Sequence, residues 1–365
     1  MTREELKHYL AGIAPADHDM IRRITDYQMA LAKPPGSLGE LEVISERLGG
    51  ITGRLHNKIE KTRIIVLCAD NGVTAEGVSV TPTAVTAAQA VNMTRGLTGM
   101  SAIAFAFGCE VQPVDVGIAT PYDCDGVLKR VVNPKGTRNL YREAAMTEAE
   151  CLEALAVGIE MAEKAADDGI DAVGVGEMGI GNTTTSSAIL SVLTGLKAEQ
   201  VTGRGGGLSD EAFLKKKAVV EGAVRRLQPD PEDPLDVLTK VGGLDIAAMC
   251  GVYLGCARRR VPVVIDGFIS IVAALAAARL CPEARDYMFP SHASYEIGYK
   301  AAAEELGLTP YLLLGMRLGE GSGCPIAFQV MKAACAVVNG MQTFSDADIN
   351  DDYLTDIRKK DSFTV

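Results

Sequence analysis

One carboxylate in the C-terminal third of the sequence, Glu320, is flanked by glycines in the run LGEGSG. Glycine lets the backbone turn sharply and lets a ligand come close to the chain. A carboxylate in such a run has few side-chain neighbours to solvate it. The run therefore has two interpretations: a tight turn with a solvated glutamate at its tip, or a base held beside a substrate.

A second glycine-rich run, GVGEMGIGNTTTSS, combines features of an anion site with an unexpected carboxylate. Gly176, Gly179 and Gly181 precede a helix start rich in Thr and Ser, and the free N–H groups of a helix start attract anions. The alternative is a simple turn capped by Thr183. The run is neither a P-loop nor a dinucleotide fingerprint. Because Glu177 would repel a phosphate, it suggests recognition of a hydroxyl or an amide beside one.

Other polar positions are weaker indications when each is taken alone. Arg204 lies in GRGGG, ahead of three lysines whose usual meaning is a solvated basic face. Asp266 follows an apolar run, where an aspartate often caps the next helix, and Ser294 with a nearby glutamate is compatible with a capping box. Thr81 and Gln89 are eight residues apart, close to two helical turns, so one helix would place both on roughly one face.

These positions need a scaffold that brings them together, and the chain alternates apolar runs with helical patterns. A helix is predicted over 81–96, opened by Thr81 and Pro82, and another over 147–169, capped by Thr147. Strand-then-turn segments are predicted at 62–70, 109–118, 170–182, 261–270 and 310–323. The alternation predicts an α/β fold, a parallel sheet with helices on both faces, whose ligands bind outside the carboxyl ends of the strands.

The two ends of the chain differ from this pattern. About the first 60 residues and the last 40 read as helical and acidic, without strand runs. We therefore predict two parts. Residues 61–324 form a large α/β catalytic domain, and residues 1–60 and 325–365 form a small helical domain.

The bulk composition limits the classes of function. The chain has 365 residues, with 36 basic and 47 acidic side chains and a formal charge of −11. This balance argues against a nucleic-acid partner or an anionic membrane surface, so a phosphate would have to be held by local N–H groups and a few cations. The sequence starts without the apolar stretch of a signal peptide, has no 18-residue charge-free apolar run, and pairs none of its nine cysteines as CxxC. We expect a cytoplasmic protein with reduced cysteines.

Histidines leave little scope for metal or triad chemistry. Only four occur, His8, His18, His56 and His292, and two of them lie in the polar N-terminal region, so a three-histidine metal site is not expected. A Ser-His-Asp triad would have to use His292, and no GxSxG elbow accompanies it.

Taken together and in order, these segments closely resemble the nicotinate-nucleotide–dimethylbenzimidazole phosphoribosyltransferase family. The resemblance rests on KPPGSLGELE, DNGVTAEGVS, GEMGIGNTTTSSAI, GRGGGL, DGFIS, SHASYE and LGMRLGEGSG. It runs from about residue 33 to about residue 350, which is nearly the whole chain.

The resemblance implies an enzyme of cobalamin nucleotide-loop assembly. Such an enzyme moves the 5-phosphoribosyl group from nicotinate mononucleotide to 5,6-dimethylbenzimidazole or another aromatic lower base. It releases nicotinate and gives α-ribazole 5'-phosphate, with inversion at the anomeric carbon. The implied fold is a Rossmann-like parallel sheet with a small helical domain from the two chain ends. The implied assembly is a homodimer that needs no metal or organic cofactor.

The resemblance carries two catalytic roles to this sequence. Glu320 matches the family's general base, which accepts the N–H proton of the incoming benzimidazole so that the ring nitrogen can attack C1 of the ribose. Glycines on both sides would admit the flat base, and poor solvation would raise the pKa of Glu320 toward neutral, where it is a better base. Glu177 matches a second glutamate near the ribose and the leaving nicotinate.

The other implied positions bind substrate. Thr81 and Gln89 match the wall of the lower-base pocket. The positions implied to hold the phosphate, the ribose or the rest of the nucleotide are Gly179, Gly181, Asn182, Thr183, Gly205, Lys216, Ser294, Arg317 and Leu318.

Some positions depart from the family's usual pattern. Gly206 stands where the family usually has threonine, and Tyr295 and Tyr299 stand where it commonly has alanine and histidine. None of them touches Glu320, so activity is expected, while the preferred lower base stays open between a benzimidazole, a purine and a phenol. A heterodimer with a similar chain stays open as well. A non-catalytic nucleotide-binding chain is the alternative from another class, and the two glutamates disfavour it.

Overall fold

The computed structural model describes residues 1–354, apart from the side chain of Tyr353. These residues divide into a larger unit, 1–14 with 61–327, and a smaller unit, 15–60 with the described residues from 328 onward. The predicted small domain differs at its start, because residues 1–14 belong to the larger unit. There Arg3 forms ion pairs with Glu148 and Asp233. Residues 355–365 of that predicted domain lie outside the described residues.

The larger unit is built on a parallel sheet. Within residues 1–354 its strands are β1 (Thr62–Ala69), β2 (Glu110–Gly117), β3 (Leu128–Lys129), β4 (Ala172–Met178), β5 (Val263–Ile265) and β6 (Met288–Pro290). Their order is β3-β2-β1-β4-β5-β6, and every neighbouring pair is parallel. This is the order of doubly wound nucleotide-binding sheets. It reverses between β1 and β4, and ligands bind at the carboxyl ends next to such a reversal.

Helices connect and cover these strands. The described residues contain α1 (Arg3–Leu10), α2 (His18–Ala30), α3 (Glu40–Thr52), α4 (Ala84–Met93), α5 (Gly99–Ala106), α6 (Glu148–Asp167), α7 (Asn182–Thr194), α8 (Ala198–Val201), α9 (Asp210–Leu227), α10 (Pro234–Val241), α11 (Leu244–Arg259), α12 (Phe268–Leu280), α13 (Tyr299–Leu306) and α14 (Cys324–Gly340). Short 3-10 helices span Gly72–Glu76, Pro282–Tyr287 and Asp352–Leu354. No described helix is both long enough and apolar enough to cross a membrane.

The prediction of a parallel sheet covered on both faces is confirmed. All eight residues of β1 are buried, and because successive side chains of a strand point to opposite faces, both faces of β1 are covered. On one side α6 and α11 come close together: a Cβ atom on Gly158 would lie 1.8 Å from the carbonyl oxygen of Ala248. The predicted strands at 62–70, 109–118, 170–182 and 261–270 are all present.

The strand predicted within 310–323 is wrong. Apart from one isolated bridge between His292 and Leu312, the segment pairs with no strand of the described residues. Its apolar residues face outward, with Leu313 84% exposed. The backbone at Gly315 and Gly319 has positive φ, which an extended strand cannot accommodate.

One predicted helix start is confirmed and one is wrong. Thr147 caps α6 through a capping box, since its hydroxyl accepts the N–H of Glu150 and the Glu150 carboxylate accepts the N–H of Thr147. By contrast α4 begins only at Ala84, so Thr81 and Pro82 lie before it. The N–H of Thr81 donates to the hydroxyl of Ser79, 3.1 Å away, which holds Thr81 in a preceding turn.

The smaller unit contains α2 and α3, packed through glycine. A Cβ atom on Gly49 would lie 1.8 Å from the Ile24 side chain, so only glycine allows this approach. Lys33 and Glu42 form a buried ion pair at 2.7 Å. All nine cysteines of the chain lie in the described residues, and none of them forms a disulfide.

Candidate active site

A cavity of about 190 Å³ opens at the carboxyl ends of β4 and β5. Its walls come from six segments of the larger unit, at residues 79–81, 177–183, 205–206, 266–270, 294–296 and 317–320. The location is the one expected for a parallel sheet, because the loops that follow adjacent strands converge there.

The structure brings all thirteen predicted site residues together around this cavity. Two reach it through a neighbour: Gln89 Nε2 lies 3.5 Å from Glu320 Oε1, and Lys216 Nζ donates to the Thr183 hydroxyl at 2.8 Å. The other eleven line the cavity directly: Thr81, Glu177, Gly179, Gly181, Asn182, Thr183, Gly205, Ser294, Arg317, Leu318 and Glu320.

Glu320 lies in a turn with left-handed backbone. Its φ is +64°, between +82° at Gly319 and +90° at Gly321. The conformation costs a non-glycine residue energy, and glycine neighbours accept it freely. The turn rests on the end of β4, where a Cβ atom on Gly176 would lie 2.4 Å from the carbonyl oxygen of Glu320. Gly176 is therefore needed for this close approach.

The Glu320 side chain is not the solvated tip of a turn, so that interpretation is wrong. The residue is only 4% exposed. Its Oε1 faces Gln89, and its Oε2 accepts no hydrogen bond of standard geometry among the described residues, although the N–H of Met100 and the hydroxyl of Thr98 lie near enough to the carboxylate to favour its charged form. Burial raises the pKa of the carboxyl. A buried carboxylate oxygen beside an open cavity is able to accept a proton from a bound molecule.

Glu177 is held in a buried network. Its Oε1 accepts the N–H of Glu320 at 3.2 Å. Its Oε2 accepts a hydrogen bond from the Asn182 amide, and the same amide donates to Asp245 at 3.0 Å. Burial raises the pKa of Glu177 to about 8 and that of Asp245 to about 6. Since one amide joins the two carboxyl groups, the ionisation of either disfavours that of the other.

The part of the cavity formed by the start of α7, near Lys216, has a positive electrostatic potential. Helix α7 starts at Asn182 after Gly181, which gives no side-chain cap, so Thr183 is not the cap and the helix N-terminus faces the cavity. Lys216 is 1% exposed, and burial lowers its pKa to about 8. The solvated basic face predicted for the lysine run is therefore wrong for Lys216 but holds for the exposed Lys215. The start of α7 and the nearby Lys216 therefore make this side of the cavity favourable for an anion.

Two motifs near the cavity have other roles than their patterns indicated. Asp266 does not cap α12; its carboxylate oxygens accept the N–H groups of Gly321 and Gly323. Ser294 forms no capping box, because α13 begins only at Tyr299 after Gly298. The sequence patterns did not identify Asp266 as a site residue. Its position directly after a strand, at the sheet edge where ligands bind, could have indicated such a role.

The three departures from the family pattern lie at different depths. Gly206 lines the cavity facing Thr81, whose hydroxyl would be 3.9 Å from a Cβ atom at position 206. Tyr295 is 76% exposed, with the Arg317 guanidinium 5.9 Å from its ring centre. Tyr299 is buried in the first turn of α13. Only Gly206 directly widens the space available to a ligand.

His292 has a serine and an aspartate beside it but cannot act in a triad. Its Nδ1 lies 3.0 Å from the Ser291 hydroxyl and 3.8 Å from Asp266 Oδ1. The Ser291 hydroxyl donates to the Asp266 carbonyl, and neither Ser291 nor His292 lines the cavity. Burial lowers the pKa of His292 to about 4, so the ring is neutral. In the described part of the chain, no group of three or more His, Cys, Asp or Glu side chains is placed to share a metal ion.

Comparison with known proteins matches both the sequence and the fold. The family model described as phosphoribosyltransferase matches residues 13–349. The nicotinate-nucleotide–dimethylbenzimidazole phosphoribosyltransferase of Clostridium perfringens is 48% identical over 360 residues, 99% of each chain. The enzyme of the same name from Acetivibrio thermocellus is 47% identical over 329 residues, 90% of this chain and 93% of the relative. The crystal structure of CobT from Thermus thermophilus has a TM-score of 0.87 at 38% identity, covering 91% of this chain and 99% of that chain.

Proposed function

Since this chain belongs to the phosphoribosyltransferase family, we propose that it transfers the 5-phosphoribosyl group of nicotinate mononucleotide to 5,6-dimethylbenzimidazole. The products are nicotinate and α-ribazole 5'-phosphate. The observation that carries the proposal is the buried Oε2 of Glu320 in a cavity that is also lined by the start of α7, with Lys216 behind Thr183. Glu320 would face the acceptor ring, and the start of α7 with Lys216 would face the phosphate of the ribosyl donor.

Glu320 is the general base of the proposed reaction. Its Oε2 takes the proton from the N–H of the benzimidazole while the other ring nitrogen attacks C1 of the ribose. The bond from C1 to the nicotinate nitrogen breaks, and its electron pair returns to that nitrogen, which loses its positive charge. Attack from the face opposite the leaving group converts the β-nucleotide into an α-product.

The remaining predicted residues bind and orient the nucleotide. Lys216 and the N–H groups at the start of α7 hold the phosphate, with Gly205 allowing close approach, since a Cβ atom there would lie 3.3 Å from Lys216 Nζ. Glu177 accepts a ribose hydroxyl beside the phosphate. Thr81 and Gln89 bound the pocket for the flat base next to Glu320.

The test incubates the purified chain with nicotinate mononucleotide and, separately, dimethylbenzimidazole, adenine or p-cresol, with product detection by mass spectrometry. We expect an N-linked product with the benzimidazole. Product from p-cresol alone, or only after a second similar chain is added, would favour a phenol-activating or heterodimeric relative. Nucleotide binding without any product would favour a non-catalytic binding chain.

The proposal also includes assembly and location. We propose a cytoplasmic homodimer, with catalysis in the α/β domain and a small helical domain from the chain ends. Nine cysteines without a disulfide, eight of them buried, suit a reducing compartment. Light scattering at micromolar concentration is expected to give the mass of a dimer, and a monomer would contradict this part of the proposal.

A further inference from the structure

Asp266, the residue that follows β5, has a backbone fixed on both sides. Its N–H donates to the Ser270 hydroxyl at 3.1 Å, and that hydroxyl donates to the carbonyl of Val175 in β4 at 3.0 Å. Its own carbonyl accepts the Ser291 hydroxyl at 3.1 Å. The residue is 1% exposed, so its carboxylate has a single well-defined position at the floor of the cavity.

The Asp266 carboxylate binds the turn that carries Glu320. Oδ2 accepts the N–H of Gly321 at 3.0 Å, and Oδ1 accepts the N–H of Gly323 at 2.7 Å. A Cβ atom on Gly323 would lie 2.4 Å from the Ser291 hydroxyl, so only glycine can come this close. When the Asp266 carboxyl is ionised, these are charge-assisted hydrogen bonds from backbone donors, which are among the stronger kinds.

The other N–H groups of this turn are also accounted for. Glu320 donates to Glu177, and Ser322 donates to the carbonyl of Gly319 at 3.0 Å. Two buried carboxyl groups outside the turn, those of Glu177 and Asp266, therefore determine its shape. A left-handed conformation at a non-glycine residue persists only where the surroundings impose it.

We propose that Asp266 is a positioning residue of the transfer reaction, which holds the turn of Glu320 so that the carboxylate of Glu320 points at the acceptor ring. The inference rests on the proposed function. It assigns to Asp266 no proton transfer and no contact with the nucleotide; the role of its two oxygens is to accept the hydrogen bonds from the turn.

Asp266→Asn is the decisive variant, since an amide nitrogen in place of one oxygen would face a backbone N–H and could not accept it. We expect kcat to fall about 10- to 100-fold through loss of one charge-assisted hydrogen bond. The KM for nicotinate mononucleotide should change by less than about threefold, because no nucleotide contact is lost. In a Glu320→Gln background the same substitution should cost less than about threefold, because the base it positions is already absent.

Asp115→Asn is the matched control. Asp115 is also buried at the end of a strand, β2, and also accepts two backbone N–H groups, those of Gly117 at 3.0 Å and Ile118 at 2.8 Å. It does not line the cavity. We expect this variant to lower the unfolding midpoint while kcat stays within about threefold of wild type.

The result that would overturn the proposal is an unchanged kcat in Asp266→Asn, or an equal fall in the wild-type and Glu320→Gln backgrounds. Should Asp266→Asn fail to fold, Ser291→Ala removes the hydroxyl that fixes the Asp266 carbonyl. It is expected to lower kcat about 3- to 10-fold, and only when Glu320 is present; an equal fall without Glu320 would overturn the proposal. Absence of turnover in wild type would refute the proposed function instead. In that case a crystal structure of Asp266→Asn tests positioning alone, and an unmoved Glu320 turn would overturn it.

Discussion

The carboxyl groups around the cavity and those on the outside of the larger unit have opposite environments. Glu177 and Asp266 are fully buried, contact only neutral donors, and have pKa values that burial raises to about 8 and about 7. Burial also disfavours ionisation of Glu150, in the first turn of α6, but hydrogen bonds from Arg138, Thr147 and Asn133 outweigh it and lower its pKa to about 2. Identical functional groups thus differ by several pKa units, because Glu177 and Asp266 are more deeply buried and have no cation beside them, whereas Glu150 has Arg138 and several neutral donors.

The two sets respond to pH in opposite directions. A carboxyl whose folded pKa is raised binds more protons in the folded state, so its contribution to stability falls as pH rises from about 4 to about 8. A carboxyl whose folded pKa is lowered stabilises above its unfolded pKa, and this is lost as pH falls from about 4.5 to about 2. The cavity therefore carries a stability cost at neutral pH, which is common where groups are arranged for chemistry.

The largest expected effect is the loss of turnover when Glu320, the carboxyl beside the cavity, is replaced. Glu320→Gln should lower kcat at least about 100-fold, the usual contribution of a general base, because an amide cannot accept the ring proton. Binding of nicotinate mononucleotide, measured by calorimetry, should be unchanged. Glu160→Gln, on the outside of α6, is the control and should turn over normally. A near-wild-type rate for Glu320→Gln would refute its assignment as base.

The next effect concerns the buried cation of the cavity. Lys216→Gln should raise the KM for nicotinate mononucleotide about 10- to 100-fold, the worth of a charge-assisted hydrogen bond to phosphate, with little change in kcat. Lys215→Gln, on the exposed side of the same helix, is the control and should change KM less than about twofold. Wild-type affinity should also fall above about pH 8 as Lys216 loses its proton, and the variant should lack this fall. Equal KM values for the two variants would contradict the anion site.

Replacing Glu150, the carboxyl paired with Arg138 outside the cavity, should change stability rather than turnover. Glu150→Gln should lower the free energy of unfolding in urea by about 1–3 kcal/mol at pH 7, because the hydrogen bonds from Arg138 become weaker. The difference from wild type should shrink as pH falls toward 2, and kcat should not change. Glu160→Gln breaks only the exposed pair with Arg130 and should cost less than about 0.5 kcal/mol. A loss of turnover in Glu150→Gln would contradict the expectation that only the carboxyl groups around the cavity affect the reaction.

The smallest effect is a gain of stability in the inactive variant. Glu320→Gln should unfold at a higher urea concentration than wild type at pH 9, by about 1 kcal/mol, because the wild type then buries an ionised carboxylate without a cation. The gain should shrink as pH falls, because the raised pKa of Glu320 favours its protonated form at lower pH. A variant less stable than wild type at pH 9 would mean that the carboxylate is well paired after all.

Sequence patterns were sufficient for the scaffold because strands and helices there obey local rules. The strand at 62–70 contains the continuous apolar run Ile64 to Ala69, and the helix after Thr147 has a complete capping box. The patterns gave a wrong strand prediction at one place, where the apolar residues are exposed instead of buried. Leu313 and Leu314 read as strand residues, yet a positive φ at Gly315 breaks the run and leaves them exposed.

The site was predictable through the set of motifs, whereas its supports were not. Glu320 could be singled out because glycines surround it, but Asp266 looked like an ordinary helix cap. Its partners, Gly321 and Gly323, are more than fifty residues away in sequence, and no local rule relates them. Lys216 was singled out only through the family resemblance, because its local sequence does not distinguish it from Lys215 and Lys217; the structure adds that Lys216 is the one that contacts Thr183.

Of the non-glycine residues with positive φ in the described chain, namely Gln228, Arg260, Glu320 and Asp348, only Glu320 lines the cavity. Glutamate and glycine codons differ by one base, and glycine at this position would relax the backbone while removing the carboxylate. In the absence of selection for turnover, a change from glutamate to glycine at this codon would therefore be favoured by folding stability, although it would remove the proposed base. A descendant that no longer needs turnover should lose the carboxylate early and keep the glycines around it. Under the proposed role of Glu320 as general base, the residue at position 320 would therefore record whether selection for catalysis is still acting.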